Sequence, residues 1–254
     1  MAETAPEKAT CLLLDMDGVM AEVSKSYRAS IVATCHQYNA TGVSNDTVSA
    51  CKAKGGCNND WVLSLDLINA DPNGTKGLTL EQVTETFESF YQGTAEKAGL
   101  CDLESLIPRK ELLEDLYKKC DGKMAVVTGR PRKDCNKFLE LYGIKHLFKA
   151  CVCMEDGPWK PDPFPVAEAC RLLNVEPSQR VIMVGDTPDD IRSAHAAGCH
   201  GVGVATPEDV KAQEAAGKEF DSGKLSQAIK DCGGDQNVVV VVLRPGFEDL
   251  LDMF

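Results

Sequence analysis

The rhythm of hydrophobic and polar positions changes twice along the chain. Residues 11–14 form a short apolar run, Cys-Leu-Leu-Leu, that stops at Asp15-Met16-Asp17-Gly18. An apolar run bounded in this way predicts a strand buried on both faces. From about Glu22 to Ser105 the spacing turns helical and no good strand is visible. Tyr27, Ile31, Cys35 and Tyr38 fall on one helical face, Trp61, Leu65 and Ile68 on a second, and Val83, Phe87, Phe90 and Tyr91 on a third. The third helix opens with Thr79 and Gln82 at capping-box spacing. Stretches rich in Gly, Asn and Asp, at 40–42, 54–59 and 71–74, separate these faces.

After Pro108 strands and helices alternate. Strands are predicted at 124–127, 150–153, 181–184, 201–205 and 238–243. Helices are predicted at 111–119, 135–142, from about 163 to 173, and from an N-cap at Thr187, with Pro188 at the first position, to a stop at Gly198. Residues 207–232 read as helical, 247–253 as a short closing helix, and 1–9 as a disordered tail. Alternating strands and helices imply an α/β fold with a doubly wound parallel sheet. That sheet domain, residues 1–21 and 106–254, is interrupted after its first strand by an inserted α-helical cap domain, 22–105. An insert at that point is expected over the C-terminal edge of the sheet, as a lid on whatever Asp15 and Asp17 do.

The chain has 254 residues and a formal net charge of −12, which argues against a nucleic-acid or anionic-membrane partner. No apolar stretch approaches the ~20 residues needed to cross a bilayer. Twelve cysteines invite a disulfide or zinc reading, yet there is no CxxC pair, and Met1 to Ala9 is too polar for a signal peptide. Cys11, Cys35, Cys135 and Cys170 occupy apolar positions, so the cysteines read as small buried side chains of a reducing, cytoplasmic compartment. The four histidines show no ligand spacing.

Four polar clusters stand at or just after strand ends: Asp15 with Asp17, Thr128 with Gly129, Lys160, and Asp186 with Asp190. Side chains two apart on a strand share a side, so both first carboxylates can face one pocket. Like charges that close need a cation or a proton between them. A doubly wound sheet gathers strand-end positions into one crevice. There they would supply acids for a metal, a hydroxyl and backbone N–H groups for an anion, and a lysine for further negative charge, the equipment of phosphoryl transfer.

At these residues the chain resembles the haloacid dehalogenase superfamily, in the subfamily I form with a helical C1-type cap. Asp15-Met-Asp17-Gly18-Val19 is similar to the family's first motif, Thr128 after Val126-Val127 to the second, Lys160 before Pro161 to the third, and Gly185-Asp186-Thr187-Pro188-Asp189-Asp190 to the fourth. The runs 127–131 and 155–160 resemble a little-characterised, phosphatase-like group within it. The resemblance implies that Asp15 attacks phosphorus and that Asp17 is the general acid and then the base. It implies Mg²⁺ held by Asp15, the carbonyl of Asp17 and Asp186, with Asp190 supporting directly or through water. Thr128, Gly129 and Lys160 would bind phosphate. An acid at Asp17 favours phosphate esters over haloacids. A phosphonate cleaver would use a cap lysine, and although Lys52 and Lys54 lie in the insert, relatives with that chemistry lack this acid.

Other positions keep two readings. Arg130 either touches substrate or simply opens the following helix. The loop Lys54, Gly55, Gly56, Cys57, Asn58, Asn59, with Lys52 and Asp60 beside it, either reads a polar substrate or is an ordinary helix–helix turn. Asp189 reads as a surface or helix N-terminal charge. The expectation is a Mg²⁺-dependent phosphatase of a small phosphorylated metabolite, as monomer or homodimer. The alternatives are a sugar-phosphate phosphomutase and a non-catalytic protein that binds phospho-ligands.

Overall fold

A computed structural model describes residues 8–233 and 240–254. The tail expected at 1–9 therefore lies mostly outside the described residues, as do the first two positions of the strand expected at 238–243.

The chain begins with β1 (Cys11–Leu14) and passes through β2 (Ala21–Glu22) into four helices, α1 (Tyr27–Gln37), α2 (Asn45–Lys52), α3 (Asp60–Ala70) and α4 (Leu80–Tyr91). It returns through β3 (Ser105–Leu106), which pairs with β2. Then follow α5 (Lys110–Lys119), β4 (Met124–Val127), α6 (Arg132–Leu141), β5 (Ala150–Val152), α7 (Phe164–Leu173), β6 (Val181–Gly185) and α8 (Pro188–Ala196). The chain closes with β7 (His200–Val204), α9 (Pro207–Ala215), α10 (Gly223–Gly233), β8 (Val241–Leu243) and a 3-10 turn at Glu248–Met253. Two compact units result. One takes the chain up to Ala21 and from Leu106 onward, and the other is Glu22–Ser105.

The first unit is a six-stranded sheet in the order β5-β4-β1-β6-β7-β8, parallel at each pairing. This is the doubly wound α/β architecture that the alternation predicts. β1 lies between β4 and β6, with Leu13 opposite Ala125 on one side and Met183 on the other. One face of the sheet presents Cys11, Leu13, Ala125, Val127 and Met183, which pack with Val166, Ala169, Cys170 and Leu173 of α7 and Ala194 of α8. Leu12, Leu14, Met124, Val126, Ile182 and Val184 point the other way and are equally buried. The chain winds from β1 toward β4 and β5, then jumps back to β6 and winds the other way. The switch falls between β1 and β6, where open α/β sheets form their ligand crevice.

The second unit is helical. Tyr27, Phe87 and Tyr91 cluster at its centre, with the Tyr27 and Tyr91 rings 4.1 Å apart. The hydroxyls of Ser26 and Tyr91 both donate to Oε1 of the buried Glu104, at 2.9 and 3.1 Å. The sequence pattern misses α2, because Val48 is its one buried side chain and a reciprocal Ser44–Thr47 cap holds its start. It also misplaces the stripe on α3. Leu63, Ser64, Leu67 and Ile68 face inward, whereas Trp61 and Leu65 are half-buried. The expected 207–232 helix is two helices, broken at 216–222. The cysteines named among the described residues are free thiols, and Cys11, Cys35, Cys135 and Cys170 are fully buried. No helix among the described residues is long and apolar enough to cross a membrane.

Leu13 fills the centre of the sheet, so Leu13→Ala is expected to cost ~2–5 kcal/mol in urea unfolding. Leu141, 66% exposed, is the control, expected to change stability by less than ~0.5 kcal/mol as alanine.

Candidate active site

Asp15 follows the last residue of β1 and continues its ladder, its N–H donating to Val184 O at 2.9 Å. The chain then turns back at once. Met16 O accepts from the N–H groups of both Met20 and Ala21, and Met16, Val19 and Met20 are buried. The turn needs Gly18, whose φ is +73° and where a Cβ would stand 2.3 Å from Asp186 Oδ2. Gly185, the last residue of β6, has the same kind of duty, since a Cβ there would lie 2.1 Å from the Cβ of Asp190. Two glycines thus let the first and fourth motifs close on each other.

Lys160 lies at the middle of the cluster with its side chain 4% exposed. Its Nζ is 2.9 Å from Asp15 Oδ1 and 2.6 Å from Asp190 Oδ1, and it donates to Val127 O at 3.1 Å. The peptide bond from Lys160 to Pro161 is cis. Burial pushes the ammonium's pKa down, but Asp15 and Asp190 outweigh it and the net shift is upward. Asp15 is pushed up to about 7, burial being the main cause. Lys160 opposes that rise, and the charges of Asp190 and Asp17 add to it.

Asp190 is fully buried. Its Oδ2 accepts the N–H of Thr187 at 3.0 Å and the hydroxyl at 2.7 Å, which fastens the start of α8 to the site. Asp189 stands in the first turn of α8, one of its two expected places, but it is not at the surface: it is 1% exposed, with Oδ1 3.8 Å from Arg192 Nη1. The first turn of α8 is packed inside the unit, so its acids are enclosed along with Pro188 and Ile191. Carboxylate oxygens of Asp15, Asp186 and Asp190 lie within 4.8 Å of one another. With one lysine among them, they carry two formal negative charges in excess. An all-oxygen donor set with that charge fits a hard divalent cation such as Mg²⁺.

Thr128 stands directly after β4, mostly buried, with its N–H on Val152 O and its Oγ accepting from the N–H of Arg130 at 3.2 Å. Gly129 lies between them. Arg130 does not open the following helix. The helix opens at Arg132 behind an N-cap at Pro131, and the Arg130 side chain is 1% exposed with Nε 2.5 Å from Asp17 Oδ1. Its guanidinium also lies over the Phe138 ring, 5.5 Å from the centroid. This bond to Asp17 is a contact that the sequence reading missed. The available signal was a charged residue two places after Thr128 in a stretch that is otherwise apolar or small.

The structure therefore gathers Asp15, Asp17, Thr128, Arg130, Lys160, Asp186 and Asp190 in the first unit. The remaining candidates belong to the second unit, in the loop between α2 and α3. Gly55 and Gly56 there have φ of +80° and +78°. Asn59 is the N-cap of α3, its Oδ1 accepting from Trp61 N and Val62 N at 3.0 and 3.1 Å. Lys52 and Asp60 form an ion pair at 2.7 Å. These contacts give Asn59, Lys52 and Asp60 a structural part at the ends of α2 and α3, and the loop keeps both readings.

Residues 12–204 match the family model for haloacid dehalogenase-like hydrolases. The chain belongs to this family. It is 42% identical over 243 residues to a protein of Phytophthora nicotianae named imidazoleglycerol-phosphate dehydratase, a match to 95% of this chain and 52% of that one. It is 41% identical over 127 residues to the phosphoglycolate phosphatase of Haemophilus influenzae (strain 86-028NP), covering 49% and 54% of the two chains. The chain thus spans about half the length of these curated relatives. Among solved structures it is similar to a predicted phosphoglycolate phosphatase of Haemophilus somnus 129pt, with a TM-score of 0.64, 26% identity, and coverage of 79% of this chain and 87% of that one.

Replacing Lys160 by methionine strands Asp15 and Asp190 without their shared cation. The expected loss is ~3–5 kcal/mol of unfolding free energy in chelator at neutral pH. Part of it should return when Asp15→Asn is added, because one buried charge then disappears. Urea titrations of the single and double variants measure both effects.

Proposed function

We propose that this chain is a Mg²⁺-dependent phosphatase that hydrolyses a small phosphorylated metabolite through an aspartyl-phosphate on Asp15. The observation that carries the reading is the buried Asp15 carboxylate, braced by Lys160 beside Asp186, at the sheet's switch point. Family membership and the phosphatase names among the relatives support it.

Asp15 attacks phosphorus, a P–O bond to Asp15 forms, and the bond to the alcohol oxygen breaks. Asp17 gives that oxygen a proton as it leaves. Asp17 then takes a proton from water, whose oxygen attacks the phosphoryl group. Inorganic phosphate departs and the Asp15 carboxylate is restored. Thr128 and the N–H of Gly129 receive phosphate oxygens. Lys160 offsets the repulsion between an anionic nucleophile and an anionic substrate. Asp15, Asp186 and the carbonyl of Asp17 would hold Mg²⁺, which screens the phosphate charge when bound. Asp190, with both oxygens engaged by Lys160 and Thr187, supports that site rather than filling it.

The inserted helical unit, 22–105, is our candidate for the part that selects the leaving group, through the loop from Lys54 to Asn59. A soluble, reducing compartment such as the cytoplasm suits the free thiols. The Phytophthora relative is about twice as long as the stretch it shares with this chain, and its name concerns an imidazole-bearing phosphate ester. Such an ester accordingly joins 2-phosphoglycolate as a leading test substrate.

The test is phosphate release from a panel holding these two esters, a sugar phosphate, pyrophosphate and p-nitrophenyl phosphate, with Mg²⁺ or with chelator. Release is expected with Mg²⁺ only, and Asp15→Asn should lose at least ~10³-fold while keeping a cooperative thermal transition. Full activity in Asp15→Asn would refute the nucleophile. An isomerised sugar phosphate with no released phosphate would point to the mutase. Binding of esters without any turnover would point to a phospho-ligand receptor.

A further inference from the structure

Asp17 is a surface-facing acid held from behind by a buried cation. Its side chain is 26% exposed, whereas that of Arg130 is 1% exposed. A guanidinium so enclosed needs a counter-charge, and Nε meets Asp17 Oδ1 at 2.5 Å. The arginine is itself fixed at three further points. Its N–H donates to Thr128 Oγ1, its carbonyl accepts from Met154 N at 3.0 Å, and its guanidinium lies over Phe138. A part-exposed carboxylate on a turn is thereby tied to the loop between β4 and α6.

We infer that Arg130 is a positioning residue that decides which oxygen of Asp17 moves the proton. The inference rests on the proposed phosphatase reading. Guanidinium groups donate hydrogen bonds and accept none. The oxygen facing Arg130 therefore serves as acceptor in both protonation states, and the proton of the acid form resides on Oδ2. In the first half-reaction the Oδ2–H bond breaks, the hydrogen joins the leaving oxygen, and the P–O bond to that oxygen breaks. In the second, a water O–H bond breaks toward Oδ2 as the water oxygen bonds phosphorus and the bond to Asp15 opens. Arg130 exchanges no proton in either half. Its work is to hold Oδ2 at one place and in one orientation, which is how much of general acid catalysis is realised.

The role has a signature that loss of folding lacks. An alkyl ester expels a strongly basic alkoxide and depends on a placed acid, while p-nitrophenyl phosphate expels a weak base and depends on it little. Comparing kcat/KM isolates transfer to Asp15, since that step is the first irreversible one. Wild type, Arg130→Gln, Arg130→Lys and Asp17→Asn would each be assayed on both esters in Mg²⁺, with Asp15→Asn as blank. Taking the ratio of the two esters within one preparation cancels any change in folded fraction.

Arg130→Gln is expected to lose ~10²-fold or more on the alkyl ester and under ~10-fold on the aryl ester. The loss should fall in kcat with KM little changed, in the same direction as Asp17→Asn. Arg130→Lys, still a pure donor but without the planar fork, should recover part of the difference. Equal losses on both esters would make Arg130 structural only and overturn the inference. So would an unchanged alkyl rate, or an Asp17→Asn variant that discriminates while Arg130→Gln does not. A wild-type chain without metal-dependent release would instead remove the phosphatase reading itself, and this inference with it.

Discussion

One buried ammonium holds this unit's chemistry together. Lys160 brings three hydrogen-bond donors to a place where the ends of three strands converge, and spends them on Asp15, Asp190 and Val127 O. Those partners come from β1, from the first turn of α8 and from β4. Burying two carboxylates without such a partner would be prohibitive, and burial pushes Asp15 upward even though Lys160 opposes the rise. The formal negative charge left over among Asp15, Asp186, Asp190 and Lys160 is what leaves room for a cation. A site that was electrically complete with protein groups alone would have little affinity for a divalent metal and less for a phosphate.

The sheet makes this arrangement possible by bringing chain ends, not chain middles, into contact. β1 and β6 are buried on both faces, so their side chains are apolar until the last position, and polarity starts at the crevice. Glycine is used where two polar segments must approach more closely than side chains permit. Gly18 gives way to Asp186, and Gly185 to Asp190. A substitution at either would push a carboxylate outward by more than the tolerance of a coordination or attack geometry. Packing and chemistry therefore meet in the same few residues, and the stability of the unit cannot be separated from the placement of its acids.

Much of this was legible in the sequence, for physical reasons that also explain what was not. Continuous apolar runs such as 11–14, 124–127 and 181–184 have one stable home, a buried parallel strand, so the architecture of the first unit and the gathering of Asp15, Lys160 and Asp190 could be anticipated. The second unit was harder. Helix α2 buries a single valine and is set by its Ser44–Thr47 cap, which periodicity does not detect. On α3 the inward stripe is offset from the large side chains, because Trp61 packs its ring at the edge and bonds Glu88 through its indole N–H at 3.1 Å. Asp189 has the helix N-terminal place that its position suggests, but its burial, like the bond from Arg130 to Asp17, is made by tertiary contact that no sequence pattern displays.

The two acids of the first motif are thus held by different cations, and the difference suits the role proposed for each. As the proposed nucleophile, Asp15 has to react as an anion beside other charges. Lysine, a compact charge with three freely directed donors, can serve it and Asp190 at once. In the proposed cycle Asp17 changes protonation state twice without changing place. An arginine, planar and always charged, holds one oxygen in a fixed direction without competing for the proton. Had the two been exchanged, an ammonium at position 130 would lack both the fixed direction and the contact with the Phe138 ring. On the proposed mechanism, the choice of cation follows from whether the carboxylate has to attack or to relay.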